Sequence, residues 1–346
     1  MLYYFSEYNY RGNHAGTKAR NDVETILHQS GAKPVNSNPF ILRTDEAEEQ
    51  IYSNVKNRFE LGRLFWDVRK IRKQTVLVQY PMLAFDFQEK YFKEIAKKNK
   101  LVLLIHDLHA LRIPDDEKLK QEIHLLNIAS VVIVHNQFMA QKIRELGVTV
   151  PKVYCLEMFD YLHNGTVSQE MCDQKSIAFA GNLGKSIFLP QLVKENPEIM
   201  FRFYGMGWND KIAGDNVTYC GSFKPEEIPE KLNTAFGLVW DGESTTEGAG
   251  PLGEYTRINN PHKFSLYLAA GIPVIAWSDA AIAEVIRKYK VGIVVEQIDH
   301  LDSVLCSISE EEYADMKRNV MEIREKLISG YYLKNALAQL QKEGDS

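Results

Sequence analysis

The chain has 346 residues, 45% of them hydrophobic and 25% charged, with a formal net charge of -5. That length exceeds one ordinary domain and suits two α/β domains of roughly 150–180 residues. The mild negative balance points away from a nucleic-acid surface and from strong general attraction to anionic lipid, and it leaves room for a local basic patch. Cys155, Cys172, Cys220 and Cys306 are scattered, with no C-x-x-C pair. Neither a zinc site nor a disulfide framework is signalled, and a reducing cytoplasm is the expected location. The apolar start Met1-Leu2-Tyr3-Tyr4-Phe5 lacks the basic lead-in and long apolar core of a signal peptide, so it reads as a first buried strand. No apolar run approaches the ~18 residues of a membrane span, which leaves peripheral membrane association at most.

Short β-rich runs alternate with longer helix-like stretches. In the first half the pattern predicts strands over residues 2–5, 75–79, 101–105 and 131–135, with a weaker candidate at 153–156. Helices are predicted over 16–30, 52–70, 87–98, 117–128 and 138–146. Val131-Val132-Ile133-Val134 is a continuous β-branched run, the pattern of a strand covered on both faces. The second half restarts the alternation. Strands fit 176–180, 199–204, 217–220, 237–240, 273–276 and 292–295, and helices fit 188–195, 226–234, 263–270, 280–288 and 310–328. Such alternation implies right-handed βαβ units and parallel sheets. The seam is expected in the polar stretch 161–175, giving a first domain over 1–160 and a second over 161–330. A last helix, 332–342, follows the helix stop Ser329-Gly330 and is expected to return to the first domain with the rest of 331–346.

Open parallel sheets bind ligands beyond the carboxyl ends of their strands. Four segments there can carry chemistry. The first is Asn13-His14-Ala15-Gly16-Thr17-Lys18-Ala19, a small-residue loop opening a helix, where free N–H groups and the positive dipole end face an anion. The same residues also read as an ordinary strand–helix turn. The second is Phe179-Ala180-Gly181-Asn182-Leu183-Gly184-Lys185-Ser186, which reads equally as a plain turn or as a loop whose glycines let the backbone approach a pyrophosphate while Lys185 supplies a cation. The third is Tyr204-Gly205-Met206-Gly207-Trp208, where Tyr204 or Trp208 either stacks on a base or sugar or packs in the core.

The fourth and most specific runs from Arg257 through Asn259-Asn260-Pro261-His262-Lys263 to Gly271-Ile272-Pro273-Val274-Ile275. Asn260 fits an N-cap and Pro261 the first helical position. Lys263 then lies in the first turn, where a cation opposes the helix dipole unless an anion joins it, so a diphosphate is the expected ligand. Asp241-Gly242, on the same edge, either meets a ribose or sugar hydroxyl or opens a turn. In the first half, His106 and Asp107 follow a strand and read either as acid/base groups toward an acceptor hydroxyl or as satisfied loop-end groups. No H-x-E or D-x-D triplet completes a metal site around them.

On these residues the chain resembles nucleotide-sugar glycosyltransferases of the GT-B fold, two Rossmann-like domains with parallel sheets facing a central cleft. The Asn-Pro-His-Lys helix followed by Leu-Ala-Ala-Gly-Ile-Pro-Val-Ile carries most of the likeness. Within that fold it is most similar to the accessory-secretion glucosyltransferases of serine-rich adhesins and to galactofuranosyltransferase-like enzymes of surface polysaccharides. The resemblance implies a UDP-sugar donor in the second domain, a saccharide or glycosylated-protein acceptor in the first, no metal and a homo-oligomer. It implies that Gly16 and Thr17 face the donor, that Gly181, Asn182 and Lys185 meet its phosphates or sugar, that Tyr204 lies on the uracil side, and that Asn260 and Lys263 hold the diphosphate. Many retaining relatives carry two glutamates eight positions apart before the Ala-Gly-x-Pro-Val turn. Here those positions are Ile258 and Leu266, so the stereochemistry is not set by that pattern.

The expected reaction is hexose transfer. As the anomeric bond breaks, charge grows on the β-phosphate, and a helix N-terminus with Lys263 and Lys185 stabilises it. Two other readings fit the same sequence. One is a UDP-sugar epimerase on this fold; the other is a non-catalytic subunit that steadies a partner transferase.

Overall fold

A computed structural model describes residues 1–7, 15–36, 59, 62–82, 87–167, 173–248 and 250–342. The chain forms two compact units. One comprises residues 1–157 with 332–346, and the other residues 158–331.

The first unit is built on a six-stranded parallel sheet. Its strands are β1 (Leu2–Tyr4), β2 (Lys33–Pro34), β3 (Thr75–Tyr80), β4 (Lys100–Ile105), β5 (Val131–Val134) and β6 (Lys152–Cys155), in the spatial order β2-β1-β3-β4-β5-β6. Val131–Val134 is buried along its whole length in the interior of that order, as its unbroken β-branched run predicts. The helices are α1 (Ala15–Gln29), α2 (residues 62–70), α3 (Gln88–Ala96), α4 (His109–Arg112), α5 (Asp116–Leu126) and α6 (Gln137–Glu145).

The second unit repeats the plan. Its strands are β7 (Ser176–Ala180), β8 (Met200–Tyr204), β9 (Val217–Gly221), β10 (Phe236–Val239), β11 (Val274–Trp277) and β12 (Gly292–Val295), ordered β12-β11-β10-β7-β8-β9 and all parallel. Its helices are α7 (Leu189–Glu195), α8 (Ile228–Lys231), α9 (Gly250–Thr256), α10 (His262–Ala269), α11 (Ile282–Tyr289), α12 (Leu301–Cys306) and α13 (Glu310–Ile328). A final helix, α14 (Tyr331–Lys342), starts at the end of the second unit and belongs to the first from Tyr332 onward. Among the described residues no helix is long and apolar enough to cross a membrane.

Every strand read from the sequence is present within a residue or two, and one short edge strand, Lys33–Pro34, was not foreseen. The predicted helix over 226–234 shrinks to Ile228–Lys231, because the backbone turns extended at Leu232. Of the predicted helix over 52–70, residues 52–58 and 60–61 lie outside the described residues and 62–70 is helical. Three helices of four to seven residues, α4, α9 and α12, had no sequence signal of a full amphipathic period.

Helix α10 is fixed to the second sheet by its own side chains. The Tyr267 hydroxyl accepts from the Ala180 amide at 2.8 Å and lies 3.3 Å from the Ala178 carbonyl, so one phenol ties α10 to the end of β7. Gly237 in β10 makes room for that ring, since a methyl there would lie 2.3 Å from Tyr267 Cγ. At the other end of α10, Gly271 takes φ +71° as a C-terminal stop. The orphan carbonyls there meet cations from α13: Arg324 Nε donates to Ala269 O at 2.8 Å and Lys317 Nζ to Gly271 O at 2.6 Å.

Candidate functional site

Three loops and one helix start converge at the carboxyl edge of the second sheet. The loop after β7 begins at Gly181, the loop after β8 at Gly205, the loop after β10 at Trp240-Asp241, and α10 starts at His262. The first two touch backbone to backbone. A Cβ at Gly205 would fall 1.8 Å from the Gly181 carbonyl oxygen, and one at Gly207 would fall 2.5 Å from the Gly184 amide nitrogen. Both glycines also hold positive φ, +131° and +83°. Only glycine fits these two positions. Hydrogen bonds hold the pair of loops together, from Leu183 N to Met206 O at 2.8 Å and from Gly181 N to Tyr204 O at 2.9 Å.

Lys263 occupies the middle of this edge. Its ammonium lies 2.6 Å from Asp241 Oδ1 and 3.3 Å from the Trp240 carbonyl, and 4.5 Å from the centre of the Phe179 ring. Its stem runs past Gly181, where an added Cβ would lie 3.2 Å from Lys263 Cε. The side chain is 16% exposed and Asp241 33%. The cation is therefore aimed along the sheet edge rather than into bulk water, and a carboxylate and an aromatic face restrain it. Ionic attraction to Asp241 offsets the repulsion between this cation and the amino end of α10, which the sequence reading had assigned to a ligand anion alone.

Asn260 does not cap this helix. Pro261 is the N-cap residue, with φ -63° and ψ 138°, and its own side chain makes no cap hydrogen bond. Proline's fixed φ matches that extended cap position as well as the first helical turn, so Pro261 takes the cap itself rather than the first helical position, and the helix runs from His262. Asn260 is buried at 4% exposure, one residue before the cap. His262 packs near Phe159 and Tyr161, with ring centroids at 5.8 and 5.4 Å.

The other predicted residues divide. Asn182 and Lys185 are exposed on the loop after β7, and Asn182 Oδ1 accepts from the Lys185 amide at 3.2 Å. Tyr204 is 1% exposed, and its hydroxyl donates to Lys231 O at 3.2 Å. A ring so enclosed offers no open face to a base, which corrects the stacking reading in favour of core packing. Trp208 instead lies half-exposed and stacks on Tyr219, with centroids 4.8 Å apart. Gly16 and Thr17 lie in the first turn of α1, with Thr17 buried, and Asn13 and His14 fall outside the described residues.

In the first unit, His106 Nε2 lies 2.6 Å from Gln79 Oε1, and Arg112 Nη1 lies 3.2 Å from Asp107 Oδ2. His106 and Asp107 thus stand together at the end of β4. Next to them, Asn136 caps α6 by accepting from Met139 N at 3.0 Å, a structural task. Burial pushes the His135 imidazole down to about 4, against the pull of Asp107 and two backbone hydrogen bonds. Glu122 bonds the His109 and Ala110 amides at 2.9 and 3.2 Å, and burial pushes its carboxyl up to about 7 despite them. A buried polar group also lines the end of β1: Arg20 donates to Glu7 at 3.0 Å, and Ser6 donates to Glu24 at 2.7 Å.

Sequence reasoning missed the part played by Tyr267 and the contact of the Phe179 ring with Lys263. The one available signal for Tyr267 was its place four residues after Lys263, on the same helix face.

Two parallel α/β units, with glycine-built loops and a lysine-bearing helix start gathered on one sheet edge, define a GT-B glycosyltransferase. Solved structures agree on the fold. Sucrose-phosphate synthase from Thermosynechococcus elongatus aligns over 100% of this chain and 99% of its own, with a TM-score of 0.62 and 12% identity. Anabaena HepE in complex with UDP and glucose aligns over 99% and 100%, with a TM-score of 0.58 and 13% identity. The chain belongs to the Glucosyltransferase 3-like family: the N-terminal domain of that family matches residues 3–158 and the C-terminal domain residues 177–340. The chain is 31% identical over 240 residues to Glucosyltransferase 3 of Streptococcus gordonii, covering 69% of this chain and 70% of that one. It is 29% identical over 346 residues to the beta-1,6-galactofuranosyltransferase WbbI of Escherichia coli K12, covering 98% of both. The protein is a glycosyltransferase.

Proposed function

We propose that this glycosyltransferase moves a hexose (glucose, galactose or galactofuranose) from a UDP-sugar to a saccharide or glycosylated-protein acceptor. The observation that carries the reading is the position of Lys263: an ammonium held at the start of α10, beside the Gly181 loop. A diphosphate laid along that edge meets first-turn amides, the glycine-lined backbone of residues 181–184 and the Lys263 charge. As the anomeric carbon–oxygen bond breaks, the electron pair passes to the β-phosphate oxygen. A fixed cation and oriented amides stabilise that growing charge without reorganising. Lys263 is the main electrostatic group in this reading, Lys185 is a second cation near the phosphates, and Asp241 sets the direction of the Lys263 ammonium. On the acceptor side, His106 and Asp107 of the first unit receive or orient the attacking hydroxyl.

A thermal-shift screen of UDP-, GDP-, TDP- and CMP-sugars, followed by a hydrolysis assay on the hit, tests the donor. The expected result is a rise in melting temperature with UDP-sugars and slow release of UDP. If none of the four classes raises it, the donor assignment fails.

A further inference from the structure

Residues 62–100 carry ten Lys and Arg against four Asp and Glu, a net +6 in a chain whose total is -5. The structure gathers this charge on one side of the first unit. Helices α2 and α3 are neighbours, since Lys90 of α3 lies 4.7 Å from the Phe65 ring of α2 and Arg69 lies 3.3 Å from Glu94. The loops that follow them are joined, with Lys73 N donating to Lys98 O at 2.8 Å and Asn99 Nδ2 to Ile71 O at 2.9 Å. Both loops lead into the amino ends of β3 and β4, the edge opposite the carboxyl ends.

In the midst of this charge stands an exposed aromatic. Trp66 is 64% exposed, and Arg69 lies 5.6 Å from its ring. Arg63 and Lys70, three residues before and four after, share its helix face, and all are exposed. Phe59, 74% exposed, comes one heptad earlier. Among the described residues the acids here are few and engaged. Asp67 holds Lys70 at 2.8 Å and Arg63 at 3.9 Å, Glu94 is buried beneath Arg69 and Lys97, and Glu89 holds Lys93. Arg72, Lys73, Lys98 and Lys100 add further positive charge around the same loops.

An indole left in water among cations is the surface chemistry of a lipid interface. The ring sits at headgroup level with its N–H toward water, the guanidinium and ammonium groups meet lipid phosphates, and the long stems lie along the acyl boundary. A nucleic-acid strand needs a groove with successive stacking faces, whereas these cations stand on the outer faces of two helices. We infer that the α2–α3 face, centred on Trp66 with Arg63, Arg69, Lys70, Arg72 and Lys73, docks the protein on an anionic bilayer surface.

The test is co-sedimentation of the full chain with vesicles of phosphatidylcholine alone and with about one-third phosphatidylglycerol, at ~0.1 M and ~0.5 M salt. Binding is expected only to the anionic vesicles at low salt. Each basic residue near such a surface contributes about a fivefold factor in affinity, so R69E/K70E/R72E/K73E should bind more than tenfold more weakly. R72E/K73E alone changes only loop residues and serves if the quadruple variant melts early; it should lose more than threefold. W66A should lose several-fold and weaken binding even where the charge is intact. Donor hydrolysis by these variants should match that of the wild type. Equal binding to both vesicle types, variants that bind like the wild type, or tighter binding to oligo(dT) than to anionic vesicles would each overturn the inference.

Discussion

Lys263 and Asp241 sit 22 residues apart in sequence, yet their charged atoms meet at 2.6 Å against the face of Phe179. The pairing fixes where the ammonium points before any ligand arrives. Lys263→Ala should therefore lower kcat by about 10²–10³-fold, the scale seen for loss of a preorganised charge stabiliser. Because both partners reach solvent, the melting temperature should move little. Turnover equal to wild type in this variant removes Lys263 from the mechanism. Asp241→Asn should raise KM or lower kcat by a smaller factor, since it loosens the aim of the cation without deleting it.

Tyr267 makes a separate prediction about stability. Tyr267→Phe leaves the Ala180 amide without its phenolic acceptor in a buried site. The cost should be about 1–3 kcal/mol, read as a lower midpoint in urea unfolding. Gly237→Ala presses a methyl into the same ring and should cost at least as much by overpacking. A midpoint unchanged in both would mean that α10 is not anchored through this phenol.

The two touching loops predict a separation of folding from binding. Gly205→Ala must move the Gly181 carbonyl and adopt an unfavourable positive φ. We expect reduced stability together with loss of the thermal shift given by the donor. Gly31→Ala, at φ +79° with open space around it, is the control. It carries only backbone strain, remote from the sheet edge, and should keep the donor response.

His135 and Glu122 give opposite pH signatures. His135, held down to about 4 against 6.5 in the unfolded chain, takes up a proton more readily when unfolded. Its neutral burial is thus a stability term that is full above pH 6.5 and lost as pH falls toward 4, by about 3 kcal/mol. Glu122, held up to about 7 from 4.5, keeps its proton longer when folded. Its term is full below pH 4.5 and lost as pH rises through 7, again by about 3 kcal/mol. From pH 4.5 to 6.5 the two nearly cancel. The stability of Glu122→Gln relative to wild type should therefore grow as pH rises from 4.5 to 7, and that of His135→Gln should grow as pH falls from 6.5 to 4. Urea titrations at stepped pH report both slopes, and a flat difference in either series rules out that assignment.

Much of the framework was written in hydrophobic pattern. The run Val131–Val134 and the segment 176–180 show their strands because a parallel sheet buried on both faces demands continuous apolar residues. Glycines after β7 and β8 marked the loops, since tight backbone approach excludes every other residue. What stayed hidden was long-range. Nothing local to Asp241 announces Lys263; adjacent strands bring them together. The cap at Pro261 was misjudged because proline's φ suits two neighbouring positions alike. Tyr204 looked available because a strand end is ambiguous between core and site, and only the packed neighbours decide it. The short helices α4, α9 and α12 span too few residues to display a period.

The first unit is stitched from two stretches of chain, with the whole second unit lying between them. A ribosome making this protein therefore releases β1 to β6 well before α14 exists. During that interval the surface that will receive Tyr332, Leu333, Ala336, Leu337 and Leu340 stands open to solvent or to chaperones. Vectorial synthesis thus makes the earliest part of the molecule the last to be finished, and a nonsense codon near position 330 would strip its closing helix while leaving the second sheet whole.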